Sequence, residues 1–193
     1  MRVRNGLACL LVAGGLAGPA LAQQRGQPAP PAPPPAALPS EAERSTASFG
    51  DWTVRCERLP GPPPRRQCEM TQTVQTQGQQ GTQPQPVAQW AVGRTAPGEP
   101  FRFVVQLPVN LAFATPARVV ADGDPAVGLN FARCLPIGCF AEATLGEEAL
   151  RRLRARNPDQ PGRVEFRDAA DREMQFPLSF RGFAQALAAL NAP

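Results

Sequence analysis

The sequence predicts a mostly β protein: a β-sandwich or barrel-like antiparallel domain with two short helices, one of them C-terminal, stapled by disulfides. Three observations carry that expectation. Short segments in which apolar and polar residues alternate recur along the chain, the period of a half-buried strand. Its 24 prolines and 17 glycines favour turns over long helices. Once an N-terminal leader is set aside, four of the five cysteines remain, an even set of the kind that frames an exported domain.

Residues 1–22 read as a secretory signal. Arg2 and Arg4 form its positive end, residues 7–16 its apolar run, and Ala20-Leu21-Ala22 a small-x-small site cleaved after Ala22. The apolar run is shorter than the ~20 residues a bilayer span needs, so no transmembrane span is expected after cleavage. Cys9 leaves with the leader; an uncleaved anchor is the alternative. Residues 23–45 form a disordered Pro/Ala-rich linker, whose composition cannot build a core and favours an extended spacer over a proline-recognition ligand. The domain occupies residues 46–193, and 193 residues in all suit one domain with extensions.

Within the domain, Trp52, Val54 and Cys56 alternate on one strand, followed by a Pro-rich loop at 59–66. Cys68, Met70 and Val74 share the inward face of the next strand, and a Gln/Gly/Pro loop follows at 75–85. Residues 87–92, with Trp90, make a third strand; Phe101, Phe103, Val105 and Leu107 mark the strongest, which Pro108 stops. Residues 117–121 and 129–133 flank the turn Asp122-Gly123-Asp124-Pro125. That turn has two carboxylates but not the spaced oxygen set of a Ca²⁺ loop, so a simple turn is the default. Residues 131–145, FARCLPIGCFAEATL, read as strand, cross-linked turn and strand. Residues 147–156 form a short helix with Glu147 and Glu148 first and Arg151, Arg152, Arg154 and Arg156 last, the order its dipole favours. The arginine cluster is a solvated helix end by default, and a phosphate or lipid-headgroup site as the alternative. Val164 and Phe166 mark a further strand, residues 173–180 another, and Phe183, Leu187 and Leu190 have the spacing of a closing helix.

Cys56, Cys68, Cys134 and Cys139 allow three pairings. Cys56–Cys68 with Cys134–Cys139 is preferred, because each pair lies at the facing ends of adjacent predicted strands. By loop entropy such bridges contribute about 3 and about 2 kcal/mol. Spacings of eleven and four residues do not suit a zinc ribbon. A four-residue gap leading into a strand does not suit a thiol oxidoreductase.

The chain contains no His, which excludes Ser-His-Asp and Cys-His catalysis. It offers no phosphate-cradling glycine loop and no cofactor or metal motif, and a non-enzymatic role is expected. Asp51, Asp122, Asp124 and Glu142 are the carboxylates a glycan hydrolase would have to use. The net charge is +4; without Arg2 and Arg4 it becomes 18 basic against 16 acidic residues, scattered rather than clustered. No nucleic-acid partner is therefore expected. All the basic residues are arginines, a coding bias that lowers the functional weight of any one of them.

Five landmarks in order resemble the invasion-associated locus B family of Gram-negative bacteria. They are Phe49-Gly50-Asp51-Trp52 with Cys56; Cys68-Glu69-Met70; Leu107-Pro108-Val109-Asn110-Leu111; Arg133-Cys134 to Gly138-Cys139; and Pro177-Leu178-Ser179-Phe180-Arg181-Gly182-Phe183 with its helix. The resemblance covers about residues 49–190. It implies a β-rich exported envelope protein, associated in pathogenic members with host-cell entry, and it supplies no catalytic residue. The Pro/Ala spacer and the loops at 59–66 and 75–86 depart from it. The expectation is a binding or interaction module, periplasmic or exported to the cell surface, whose partner is an envelope or host-surface protein, a lipid or a glycan. A glycan hydrolase and a structural or stress-related envelope component are the alternatives.

Overall fold

The structure is a computed structural model that describes residues 44–76, 83–121 and 124–191. The expected leader (1–22) and residues 23–43 of the expected linker lie outside the described residues. So do residues 77–82 of the Gln-rich loop and Asp122 and Gly123 of the acidic turn.

The strands are β1 (Arg44–Phe49), β2 (Trp52–Leu59), β3 (Arg65–Gln75), β4 (Pro86–Gly93), β5 (Phe101–Leu107), β6 (Ala117–Ala121), β7 (Asp124–Leu135), β8 (Gly138–Leu145), β9 (Gly162–Arg167) and β10 (Glu173–Leu178). The helices are α1 (Glu147–Arg154) and α2 (Phe183–Ala189). All ten strands join one antiparallel sheet in the order β1-β2-β3-β4-β5-β8-β7-β6-β9-β10. It curls into a half-barrel, so the barrel-like alternative is the one adopted.

Alternation does most of the work of forming it. On β2, β4 and β5, every second side chain is buried: Trp52, Val54, Cys56; Ala88, Trp90, Val92; Phe101, Phe103, Val105, Leu107. β7 serves two partners along its length, pairing with β6 through Leu129 and with β8 from Asn130 onward. Register shifts at Val119/Val120 and between Phe131 and Arg133 interrupt both ladders. Such bulges bend a strand and raise its local twist, which helps a long sheet curl.

β1 begins at Arg44, inside the stretch expected to be linker, and its first five residues are exposed. No apolar alternation marks it; its ladder to β2 makes it a strand. The α1 helix ends at Arg154 rather than Arg156, and buries Leu150 and Leu153. The α2 helix buries Phe183, Ala186 and Leu187. Both helices contribute to the single core that lines the buried face of the sheet.

β1 and β10 are the two edges and do not pair with each other. A polar latch joins their surroundings instead. The Trp52 Nε1–H donates to the Ser179 carbonyl at 2.9 Å, and the Trp90 Nε1–H to the Pro177 carbonyl at 3.3 Å. Gln72, 7% exposed, uses its amide as a strand residue uses its backbone. Its Oε1 accepts from the Ser179 N–H at 2.9 Å, and its Nε2 donates to the Ser179 carbonyl at 3.3 Å. The Asp51 N–H donates to the Arg181 carbonyl at 3.1 Å. Here two backbones touch: a Cβ on Gly182, where φ is +81°, would stand 1.9 Å from the Phe49 carbonyl oxygen.

Replacing Gln72 by Leu keeps the volume but strands the Ser179 N–H among buried groups. Leaving a buried polar group unpaired costs about 1–3 kcal/mol. The expected result for Gln72→Leu is a loss of that size in urea denaturation, seen as a lower midpoint at unchanged slope.

Candidate functional site: an apolar tip on a disulfide-closed hairpin

The β7–β8 hairpin ends in a two-residue turn, Pro136-Ile137, closed by the ladder pair Leu135 and Gly138. The next pair, Cys134 and Cys139, is bridged, with its Cα atoms 4.0 Å apart. Cys56 and Cys68 are likewise ladder partners and bridged. The bridges brace opposite ends of the strands. Cys139 pairs with Leu107 at the end of β5, whereas Cys68 lies next to the Glu69–Gly93–Arg102 row near its start.

Two contacts fix the turn against β5. The Gln106 Nε2–H donates to the Ile137 carbonyl at 2.8 Å. Gly138 has φ +144°, and a Cβ there would stand 2.5 Å from the Leu107 carbonyl oxygen. Only glycine lets the hairpin lie this close.

The chain leaving β5 then crosses the same end of the sheet. Leu111 is buried and bridges to Asp168, and Ala112 N–H donates to the Arg167 carbonyl at 3.0 Å. Phe113 meets Phe131 of β7 edge-on, with ring centres 5.0 Å apart. That end of the sheet therefore carries four exposed apolar side chains: Ile137 (69% exposed), Phe113 (52%), Val109 (46%) and Leu135 (43%). Among the described residues, the fifth large exposed apolar group is Met174 on β10. Residues 108–117 and 126–141 hold no Asp or Glu. Their cation in the hairpin is Arg133, exposed and lying over the Phe140 ring at 5.3 Å.

These four residues were not among the sequence-predicted candidates. One signal was present in the sequence: hairpin turns favour Gly, Asn, Asp and Ser, yet this one reads Leu-Pro-Ile-Gly.

Among the described residues, the two candidate carboxylates of a hydrolase, Asp51 and Glu142, are each engaged by a separate partner. Asp51 accepts the Ser179 hydroxyl at 2.6 Å, inside the latch. Glu142 pairs with Arg102 on the polar face of β8. β2 and β8 are four strand steps apart in the sheet, at about 4.8 Å a step. Asp122 and the Asp124 side chain lie outside the described residues. Among the described residues, no three His, Cys, Asp or Glu side chains form a metal-holding group. In the α1 arginine set, Arg152 reaches Glu148 at 3.8 Å and Arg151 and Arg154 point into solvent. No helix among the described residues is long and apolar enough to cross a membrane.

A cleft of about 350 Å³ on β6, β9 and β10 contains Glu165, a carboxylate held by two arginines. Arg118 Nε donates to it at 2.5 Å and Arg163 Nε at 2.6 Å. The Arg118 hydrogen bond first, opposed by partial burial and aided by Arg163, holds its pKa below the ordinary glutamate value. A carboxylate pinned as an anion is the reverse of a general acid, which needs a raised pKa. Asp168, in the β9–β10 turn, is also lowered, by backbone and side-chain hydrogen bonds from Arg172 and the Ala170 N–H.

This geometry defines a class: a disulfide-stapled, curled antiparallel sheet that presents a fixed apolar tip. The family model for Invasion associated locus B (IalB) protein matches residues 52–191, and the chain belongs to that family. Invasion protein B homologs from two strains of Brucella abortus are each 26% identical over 167 residues, covering 81% of this chain and 85% of theirs. The crystal structure of invasion associated protein B from Bartonella henselae matches with a TM-score of 0.59 at 19% identity, over 76% of this chain and 95% of that one. At that identity the likeness speaks for the fold.

Two outcomes follow from this site. Replacing both Cys134 and Cys139 by Ser removes a short closed loop and should lower the unfolding free energy by about 2 kcal/mol in urea titrations. Glu165 titrates lower in the folded chain than unfolded, so its ion pairs stabilise fully above the ordinary glutamate range. Their contribution is lost as pH falls from there through the depressed value. Glu165→Gln should therefore flatten the acid limb of stability against pH, measured by denaturation at stepped pH.

Proposed function

We propose that this protein is a non-enzymatic interaction module of the cell envelope, exported in oxidised form, whose contact surface is the Cys134–Cys139 hairpin tip. One observation carries the reading. Four of the five large exposed apolar residues among those described gather at one end of the sheet, around a turn held by a disulfide, a glycine and a glutamine. Exposed apolar clusters on folded proteins mark contact surfaces. A pre-ordered surface also loses less entropy when it binds.

The relatives carry the name invasion protein B, and a part in host-cell entry is compatible with a contact module. The absence of His and the pairing of Asp51, Glu142 and Glu165 into structural hydrogen bonds and ion pairs support the non-enzymatic side. A cleaved export signal and two bridges would suit an oxidising compartment.

Attachment to isolated envelopes of the cells that make the protein tests this. Ile137→Asp, in a variant that unfolds at the wild-type temperature, should reduce the bound amount at least about tenfold, as loss of a central apolar anchor does. Equal binding by wild type and Ile137→Asp would remove the tip from its role.

A further inference from the structure

The tip differs from a typical protein-recognition edge in what its backbone offers. Pro136 has no N–H, the Ile137 carbonyl is occupied by Gln106, and Leu135 and Gly138 are paired with each other in the ladder. A peptide adding as a strand needs open backbone donors and acceptors. A hydrocarbon medium has the opposite requirement, that backbone groups be satisfied within the protein. The side chains at the tip are branched apolar groups, with an aromatic ring behind them at Phe113.

Charge points the same way. The two segments that build this end contain no carboxylate, so nothing in them repels an anion. Arg133 shares β7 with Leu135, two residues back, and is exposed. The acidic residues of the neighbouring β9–β10 turn and the start of β10 are committed to arginines: Asp168 to Arg172 at 2.6 Å, and Asp171 and Glu173 to Arg167 at 3.2 and 3.0 Å.

Resting on the reading above, we propose that the occupant of this surface is an anionic phospholipid bilayer. Ile137 and Leu135 enter the boundary between headgroups and acyl chains, Val109 and Phe113 lie against it, and Arg133 meets headgroup phosphate. Attachment of this kind is peripheral and reversible, because the buried apolar area is small and a few anchors set its strength. Its charge component comes from the anionic surface potential and is screened by salt.

Co-sedimentation with lipid vesicles tests the proposal, using protein purified from exporting cells and variants that share one N-terminus. Wild type should sediment with vesicles of phosphatidylglycerol and phosphatidylethanolamine, and much less with phosphatidylcholine alone. Ile137→Asp should weaken binding at least about tenfold, and Arg133→Gln several-fold with a smaller response to salt. Met174→Asp, which alters the exposed apolar residue on β10, should bind as wild type. Should Ile137→Asp disturb the turn, seen as a lowered unfolding temperature, Leu135→Ser is read in its place. Wild type failing to sediment with the anionic vesicles, or the tip variants sedimenting as well as wild type, overturns the proposal. Failure on vesicles while Ile137→Asp still abolishes attachment to whole envelopes would overturn the lipid identity alone, leaving the contact surface with a protein or glycan as its occupant. Failure of both would remove the surface itself.

Discussion

A sheet that curls without closing has one apolar face to cover and two edges that no ladder joins. The residues 177–182 resolve this for the whole fold. In a closed barrel, backbone bonds between the first and last strands would seal the core. Here the sealing groups are side chains of β2, β3 and β4 reaching to the backbone of Pro177 and Ser179. Each had to satisfy two demands at once. Trp52 and Trp90 fill core volume, both fully buried, while each has one N–H to place. Gln72 has both a donor and an acceptor, the pair needed to match a peptide unit.

The latch also sets where the helices can go. Gly50 and Gly182 both have positive φ, and each backbone lies where the other's Cβ would be. That close approach ends the β10 connection directly beneath the β1–β2 turn. Phe183 then starts α2 against Trp52, edge to face at 5.2 Å, and Phe180 packs on Phe183 at 5.9 Å. Core filling by α2 is thus downstream of the latch: loosening residues 177–182 would free the helix as well as the edge. The Phe49-Gly50-Asp51-Trp52 and Pro177 to Phe183 landmarks, far apart in sequence, are the two halves of one contact.

Much of the sheet was legible because burial on one face imposes a period of two. The Phe101 to Leu107 pattern needs no tertiary information to be read as a strand. β1 was not legible, since Arg-Ser-Thr-Ala-Ser is exposed and its strand state comes from a neighbour. Gln72 escaped for the opposite reason. It sits on the inward face between Met70 and Val74, where a polar residue breaks the pattern, and only its partner 107 residues away explains it. The tip was half legible. The cross-linked turn stood out in the sequence, but the convergence of Val109 and Phe113 on it depends on how residues 108–116 cross the sheet.

The fold's own energetics give no reason for Leu135 and Ile137 to be apolar. A side chain 69% exposed contributes little burial, and a hairpin turn is closed as well by small polar residues. The features that hold the turn would do so with any side chain at 137: the Cys134–Cys139 bridge, Gly138 against Leu107, and the Gln106 bond to the Ile137 carbonyl. The hairpin is therefore over-determined in position and unexplained in composition. The latch shows the contrary case, where every unusual residue has a partner inside the molecule. The interior thus accounts for the composition of the latch, and it does not account for that of the tip.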